Sequence, residues 1–219
     1  MNIIITCEHA VNTVPKEFSG LIDKELLHSH KGFDLGASTV AEKLGKALEL
    51  KPFYGKISRL VVDLNRSPNN KKIFSQYTNK LSPEEKQHLI DKYHAPFRDK
   101  VLKACSAPTT LISIHSFTPV LDGKVRKADL GILYDPERKN EKELAIKLKN
   151  HLKHMPIKTL KNSPYQGKSD GTAAWLRKHF SDNDFLGFEL EFNQKLFSNS
   201  QFLEKLVDEI STFFKSCFL

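Results

Sequence analysis

The chain has 219 residues, 39% of them hydrophobic, which is enough to bury the core of one domain over 1–219. No run of about 18 apolar residues occurs, so no membrane-spanning helix is expected. The formal net charge is +8, but lysines such as Lys142, Lys147, Lys149 and Lys153 sit between helical apolar positions, and no arginine-rich stripe with interleaved aromatics appears; neither nucleic acid nor membrane is expected as a partner.

Ile3–Thr6 is a short β-branched run and reads as a first, buried strand rather than part of a signal peptide. It leads into Cys7-Glu8-His9-Ala10-Val11-Asn12, so a histidine follows a strand. Leu21–His30 reads as a short helical piece. Ala37, Val40, Ala41, Leu44, Ala47 and Leu48 repeat at helical spacing and predict an amphipathic helix ending before Pro52, with Asp34 at or near its N-cap. Ile57–Leu64 is predicted as a strand, followed by the polar loop 65–70. Ser82-Pro83-Glu84-Glu85 carries the signature of a capped helix start, and the stripe Leu89, Ile90, Tyr93, Phe97, Val101, Leu102 extends that helix to 103 or 104.

Leu111–Ile114 is the next strand, with His115 on the Ser/Thr/Pro-rich turn after it. Leu130–Tyr134 is another. Leu144, Ala145, Leu148 and Leu152 predict a helix, Pro156–Leu160 a short strand, and Asn162–Gly171 a loop rich in turn formers. A helix over Thr172–Phe180 precedes the strand Phe185–Asn193. A clean apolar stripe from Phe202 to Cys217 predicts a C-terminal helix packed on the sheet. Cys7, Cys105 and Cys217 are widely spaced without a CxxC pair, which argues against a disulfide framework and makes a reducing cytoplasm the default compartment. Strands alternate with helices, as in a three-layer α/β fold with a mostly parallel or mixed sheet.

Residues of ligand type collect at element ends: His9, Asp34, His115 and Glu191, with Glu8, Asn12, His30 and Glu189 in reserve. Two histidines and a carboxylate are a common set for a catalytic zinc ion. A further carboxylate off the metal suits proton transfer, and Glu189 and Glu191 share one face of their strand. Arg59, Asp63, Asn65 and Arg66 form a dense polar set, which reads either as an internal ion pair or as a wall that binds a substrate carboxylate.

Ordered phrases across nearly the whole chain resemble the N-formylglutamate amidohydrolase family. They are Cys7–Asn12 with Val14-Pro15, His30–Ala37, Ser58–Arg66, Ile114–Pro119, Gly131–Asp135, the Asn162–Gly171 loop and Leu190–Asn193. That family is similar in turn to zinc-dependent N-acetylmuramoyl-L-alanine amidases and zinc exopeptidases. The resemblance implies a zinc-exopeptidase-like (phosphorylase/hydrolase-like) fold and a zinc-dependent hydrolase of a linear amide. It implies zinc ligands His9, Asp34 and His115, with Glu8 or Asn12 as substitutes for Asp34, and Glu191 as general base and then acid. The implied substrate is a small, acidic N-formyl- or N-acyl-amino acid, met by Arg59, Asn65, Arg66 and Tyr165. Two departures stand out: Asn193, where the family commonly has Arg, and Pro96-Phe97-Arg98 in place of Pro-Tyr-His. They motivate the alternative of an inactive ligand-binding member; a cell-wall amidase is the other.

Overall fold

The computed structural model describes residues 2–218. Its elements are β1 (Asn2–Cys7), α1 (Lys24–Leu27), α2 (Ala37–Leu48), β2 (Phe53–Tyr54), α3 (Pro83–Leu89), α4 (Ala95–Ala104), β3 (Thr109–Phe117), β4 (Val120–Leu121), β5 (Lys124–Val125), β6 (Leu130–Leu133), α5 (Lys139–His151), β7 (Thr159–Lys161), α6 (Thr172–Leu176), β8 (Phe185–Asn193) and α7 (Ser200–Phe218). Six strands form one mixed sheet in the order β2-β1-β3-β8-β6-β7. β1, β2, β3 and β8 run parallel, and β6 pairs antiparallel with β8 and parallel with β7. β4 and β5 make a separate small hairpin.

Side-chain alternation divides the sheet into two unlike faces. Ile3, Ile5 and Cys7 of β1, Ile112 and Ile114 of β3, and Leu186, Phe188, Leu190 and Phe192 of β8 all pack with α2, α5 and α7. The apolar stripe of α7 (Leu203, Leu206, Val207, Ile210, Phe213, Phe214) is buried there, each side chain contributing about 1.5–3 kcal/mol. The opposite face starts apolar, with Ile4, Leu111 and Phe185 under α4, α6 and the 57–64 segment. Towards the strand ends it turns polar. Ser113 and His115 of β3 lie beside Glu189 and Glu191 of β8 in direct register. Gly131 of β6 faces Glu191. A Cβ at Gly131 would come 2.2 Å from the Ser163 carbonyl oxygen and 3.2 Å from the Glu191 Cβ, so only glycine admits both the loop and the glutamate.

The structure departs from the sequence expectations in several places: His115 lies within β3 rather than on the turn after it, because β3 pairs with β8 as far as Phe117, and β7 falls at Thr159–Lys161 rather than Pro156–Leu160. Residues 57–64 are turns, not a strand. Their apolar side chains are buried as in a strand, but the backbone is met by side chains: Ser58 Oγ receives the Leu60 N–H at 3.2 Å, Thr78 Oγ1 donates to the Val61 carbonyl at 2.8 Å, and Ser75 donates to the Leu60 carbonyl. The place beside β1 is taken by Phe53–Tyr54, so Ile57–Leu64 has no strand to pair with. The long helix starts with the expected Ser82–Glu85 capping box but passes through a π turn at Ile90–His94. α6 stops at Leu176. Asp34 does not cap α2: Gly36, at φ 78°, is the N-cap, and the carboxylate points elsewhere.

Candidate active site

Two imidazoles meet on one carboxylate oxygen. His115 Nδ1 lies 2.8 Å and His9 Nδ1 3.4 Å from Asp34 Oδ2. His9 follows β1, Asp34 lies in the loop before α2, and His115 lies within β3. A backbone bond of 3.0 Å from the Asp34 N–H to the His9 carbonyl ties the loop to the strand end. One donor atom from each of the three falls within 4.8 Å of the others, and all three side chains are buried.

The remote ring nitrogens are held from behind. His9 Nε2 is 2.7 Å from Asp63 Oδ1. His115 Nε2 is 2.9 Å from Ser113 Oγ, whose hydroxyl donates to Glu8 Oε2 at 2.7 Å. With the proton held on each Nε2, a cation could replace the proton that His115 Nδ1 shares with Asp34, and both Nδ1 lone pairs would then face it. A histidine that binds a metal commonly donates its other N–H to a carboxylate or a hydroxyl. The residues present therefore fit a divalent cation, and two nitrogens with one carboxylate oxygen match the donor set of a catalytic zinc ion.

Glu191 stands at the same end of the cleft, 5% exposed. Its Oε2 has no hydrogen-bond partner among the described residues. Burial pushes its carboxyl up to about 8, against the pull of nearby His115. Burial also raises Glu189. Asp34 moves the other way: the charge of His9 and the hydrogen bond from His115 overcome burial and hold it well below the usual carboxylate range. Asp63 is depressed likewise, by His9 and Arg59 against burial. His115 is pushed up to about 10: burial lowers it, but the hydrogen bond and charge of Asp34 prevail.

The cleft, of ≈ 220 Å³, is lined by His9, Asp34, His115, Glu189 and Glu191 together with Arg59, Asn65, Arg66, Ser116, Tyr165 and the loop residues Gln166, Ser169 and Asp170. Arg59 donates to Asp34 Oδ1 at 3.4 Å and to Asp63 Oδ2 at 3.1 Å, so the internal ion pair and the cleft wall are the same residue. Arg66 is held less tightly, 3.9 Å from Asp63 and donating to the Asp170 carbonyl at 3.3 Å. Asn65 is pinned by the Thr172 N–H on its Oδ1 at 2.7 Å and sits 3.3 Å from His115 Nε2. Tyr165 receives a 2.8 Å hydrogen bond from Arg126 on its hydroxyl and stands half exposed at the mouth.

All eight expected site residues thus line one cleft. Of the reserves, Glu189 lines it and Glu8 lies behind His115, whereas Asn12 and His30 do not line it. Two partners escaped the sequence reading. Asp63 had only its arginine neighbours to suggest a role, and nothing in the chain joins it to His9, 54 positions earlier. Ser113 precedes His115 by two in a strand, the spacing that puts both on one face, and this was the available signal. The two departures fall outside the cleft lining. Asn193 is buried, donating to the Ala128 carbonyl at 2.9 Å. Arg98 is buried under the loop, donating to the Leu64 and Arg66 carbonyls and lying 4.9 Å from the Trp175 ring centroid.

A mixed α/β sheet with a polar cleft at its strand ends, and in it three side chains placed so that they could hold a cation, describes the class of protein. The N-formylglutamate amidohydrolase family model matches residues 1–198, and the chain belongs to that family of amide hydrolases. Among solved structures, the gene product Atu2144 from Agrobacterium tumefaciens is similar at TM-score 0.84 and 24% identity, over 98% of this chain and 89% of that one. N-formylglutamate amidohydrolase from Ralstonia eutropha JMP134 is similar at TM-score 0.73 and 15% identity, over 97% and 93%. The N-acetylmuramoyl-L-alanine amidase from Clostridium difficile 630 is more remote, at TM-score 0.46 and 12% identity over 98% and 95%. No curated protein matches the sequence.

Proposed function

We propose that residues 1–219 act as one metal-dependent amidohydrolase domain that cleaves a small, acidic N-formyl- or N-acyl-amino acid of the N-formylglutamate type. The observation that carries this reading is the meeting of His9 Nδ1 and His115 Nδ1 on Asp34 Oδ2, with the unpartnered Glu191 in the same cleft. His9, Asp34 and His115 would hold zinc. When bound, such an ion polarises the amide carbonyl and lowers the pKa of a water.

The remaining work falls to the chain itself. Glu191 takes a proton from the attacking water and returns it to the leaving nitrogen, so that the C–N bond breaks to an amine and a carboxylic acid. Burial raises the Glu191 carboxyl in the metal-free site, and a cation held beside it would lower it again toward the ionised form that takes the proton. Asp63 and the Ser113–Glu8 pair hold the two imidazoles in the tautomer that leaves Nδ1 available. Arg66, less engaged than Arg59, receives the substrate carboxylate, and Asn65 and Tyr165 line its approach. Neither family departure lines the cleft, which favours an active member over an inactive one. The three cysteines are free thiols, which suits a reducing cytoplasm. Among the described residues no helix is long and apolar enough to cross a membrane.

The test is metal content by elemental analysis beside release of formate and glutamate from N-formylglutamate. About one zinc per chain in the wild type, lost in His115→Ala and kept in Glu191→Gln, with turnover lost in both variants, is the expected result. Full turnover by metal-stripped protein, or by Glu191→Gln, would overturn the assignment.

A further inference from the structure

We propose a second small-molecule site, for a compact aromatic anion, built against the loop that carries Arg59 to Arg66. A separate cavity of ≈ 480 Å³ lies there, within the size range of small-molecule sites. Its floor is the buried Ile57, Leu64 and Phe97. Its walls are the edge strand β2 at Phe53 and Tyr54, with Phe53 on the sheet face that carries Tyr93, and Tyr93 and Pro96 where the π turn passes into α4. These wall residues are only partly buried, so their faces are open to a ligand.

Four exposed lysines, Lys51, Lys56, Lys92 and Lys100, complete the lining. No acidic side chain lines the cavity among the described residues. Lysine ion pairs elsewhere involve Lys43, Lys139, Lys168 and Lys195, so none of these four is paired among the described residues. Lys92 Nζ sits 5.3 Å from the Tyr93 ring centroid instead. The charges along this helix are sorted by face. Lys92, Pro96 and Lys100 recur every fourth residue on the cavity side. Asp91 bonds to Gln87 at 2.8 Å and lines a shallow acidic hollow with Glu84.

This combination selects one ligand chemistry. A bare anion gains nothing from the aromatic walls, and a neutral apolar molecule gains nothing from four unpaired ammonium groups. A planar aromatic body bearing a sulfonate, phosphate or carboxylate uses both: it stacks on Tyr93 or Phe53 and takes lysines as point charges. Arg59, Asn65 and Arg66 face the catalytic cleft while Ile57 and Leu64 of the same segment face this one, so the two cavities share a wall but no lining residue.

The test is a fluorescence titration of the full chain with 1-anilinonaphthalene-8-sulfonate. Saturable binding is expected, about tenfold weaker for Lys92→Gln/Lys100→Gln and about tenfold weaker for the unsulfonated N-phenyl-1-naphthylamine. Amide shift changes on dye addition should centre on 51–57, 64 and 92–100. Both lysines are exposed, and circular dichroism checks that the variant folds; Lys51→Gln/Lys56→Gln supplies the same comparison from the opposite rim. Unchanged affinity in both lysine variants, equal binding of the neutral dye, or shift changes centred elsewhere would overturn the proposal.

Discussion

Two buried glutamates meet the same strand, β8, and differ in almost every other respect. Glu141 is fully buried and fully partnered: Arg177 grips it with two bonds of 2.9 Å, and it accepts the Gly187 and Asp135 N–H groups at 2.9 Å. Glu191, four residues along β8 from that contact, keeps one oxygen without a partner and has a strongly raised carboxyl. Burying a carboxylate is expensive, and the chain meets the cost at Glu141 with arginines. At Glu191 it leaves the cost standing. An unpartnered carboxylate in a cleft is available for chemistry; one locked to arginine is available only for architecture. Glu141 also holds the cleft in shape, because Arg177 donates to the Gly167 carbonyl at 2.6 Å and so anchors the loop that carries Tyr165 and Gln166.

The contrast can be broken by experiment. The largest effect is expected from Glu191→Gln: kcat should fall by about 10²–10⁴, with thermal stability unchanged or slightly raised. A stability loss matching that of Glu141 would make both residues structural. Glu141→Gln should do the reverse, costing about 3–5 kcal/mol in a urea melt because the Arg177 guanidinium, with the half-buried Arg138 3.3 Å away, loses its charged partner. Next comes Asp63→Asn. It removes no proposed ligand, so the protein should still load zinc, but with about 10–100-fold weaker affinity by competition with a chelator. No change in affinity would reduce Asp63 to a partner of Arg59.

The effect smallest per step is a pH slope in metal-free protein. Glu191 in the folded chain keeps its proton to about 8, above its ordinary 4.5. Its contribution to stability is therefore complete below 4.5 and lost as pH rises to about 8. His115, raised from 6.5 to about 10, loses its contribution over that higher window. Above 4.5, where the depressed Asp34 and Asp63 contribute in full, stability of the stripped wild type should thus fall as pH rises to about 10, by at most about 1.4 kcal/mol per pH unit per group. Glu191→Gln should lack the part between 4.5 and 8, measured by denaturant melts across that range. Identical slopes in the two proteins would show that Glu191 carries no such burden.

Much of this was legible in the chain, for identifiable reasons. Helical periodicity placed α2 and α7, and the Ser82–Glu85 capping box fell where its spacing put it. The β-branched runs of β1 and β3 and the apolar β8 read directly as strands. His9, Asp34, His115 and Glu191 stood out because they end or adjoin those elements, and strand ends gather ligand chemistry. The failure at Ile57–Leu64 is equally instructive. Local composition reports that a segment is buried and extended in preference, but a strand exists only where a neighbouring edge accepts it, and Phe53–Tyr54 held that edge.

By itself, the sequence determined the alternation of elements, the apolar faces and the inventory of ligand-type side chains, since each depends on residues within a few positions of one another. The tertiary structure alone decided which of them share an atom. Asp34 left the helix cap for two histidines, Asp63 took the back of His9, Glu8 the back of His115, and Asn193 and Arg98 were set away from the cleft. Those choices rest on strand order and register across 25 to 105 positions of chain, and long-range pairing of that kind leaves no local trace in side-chain chemistry.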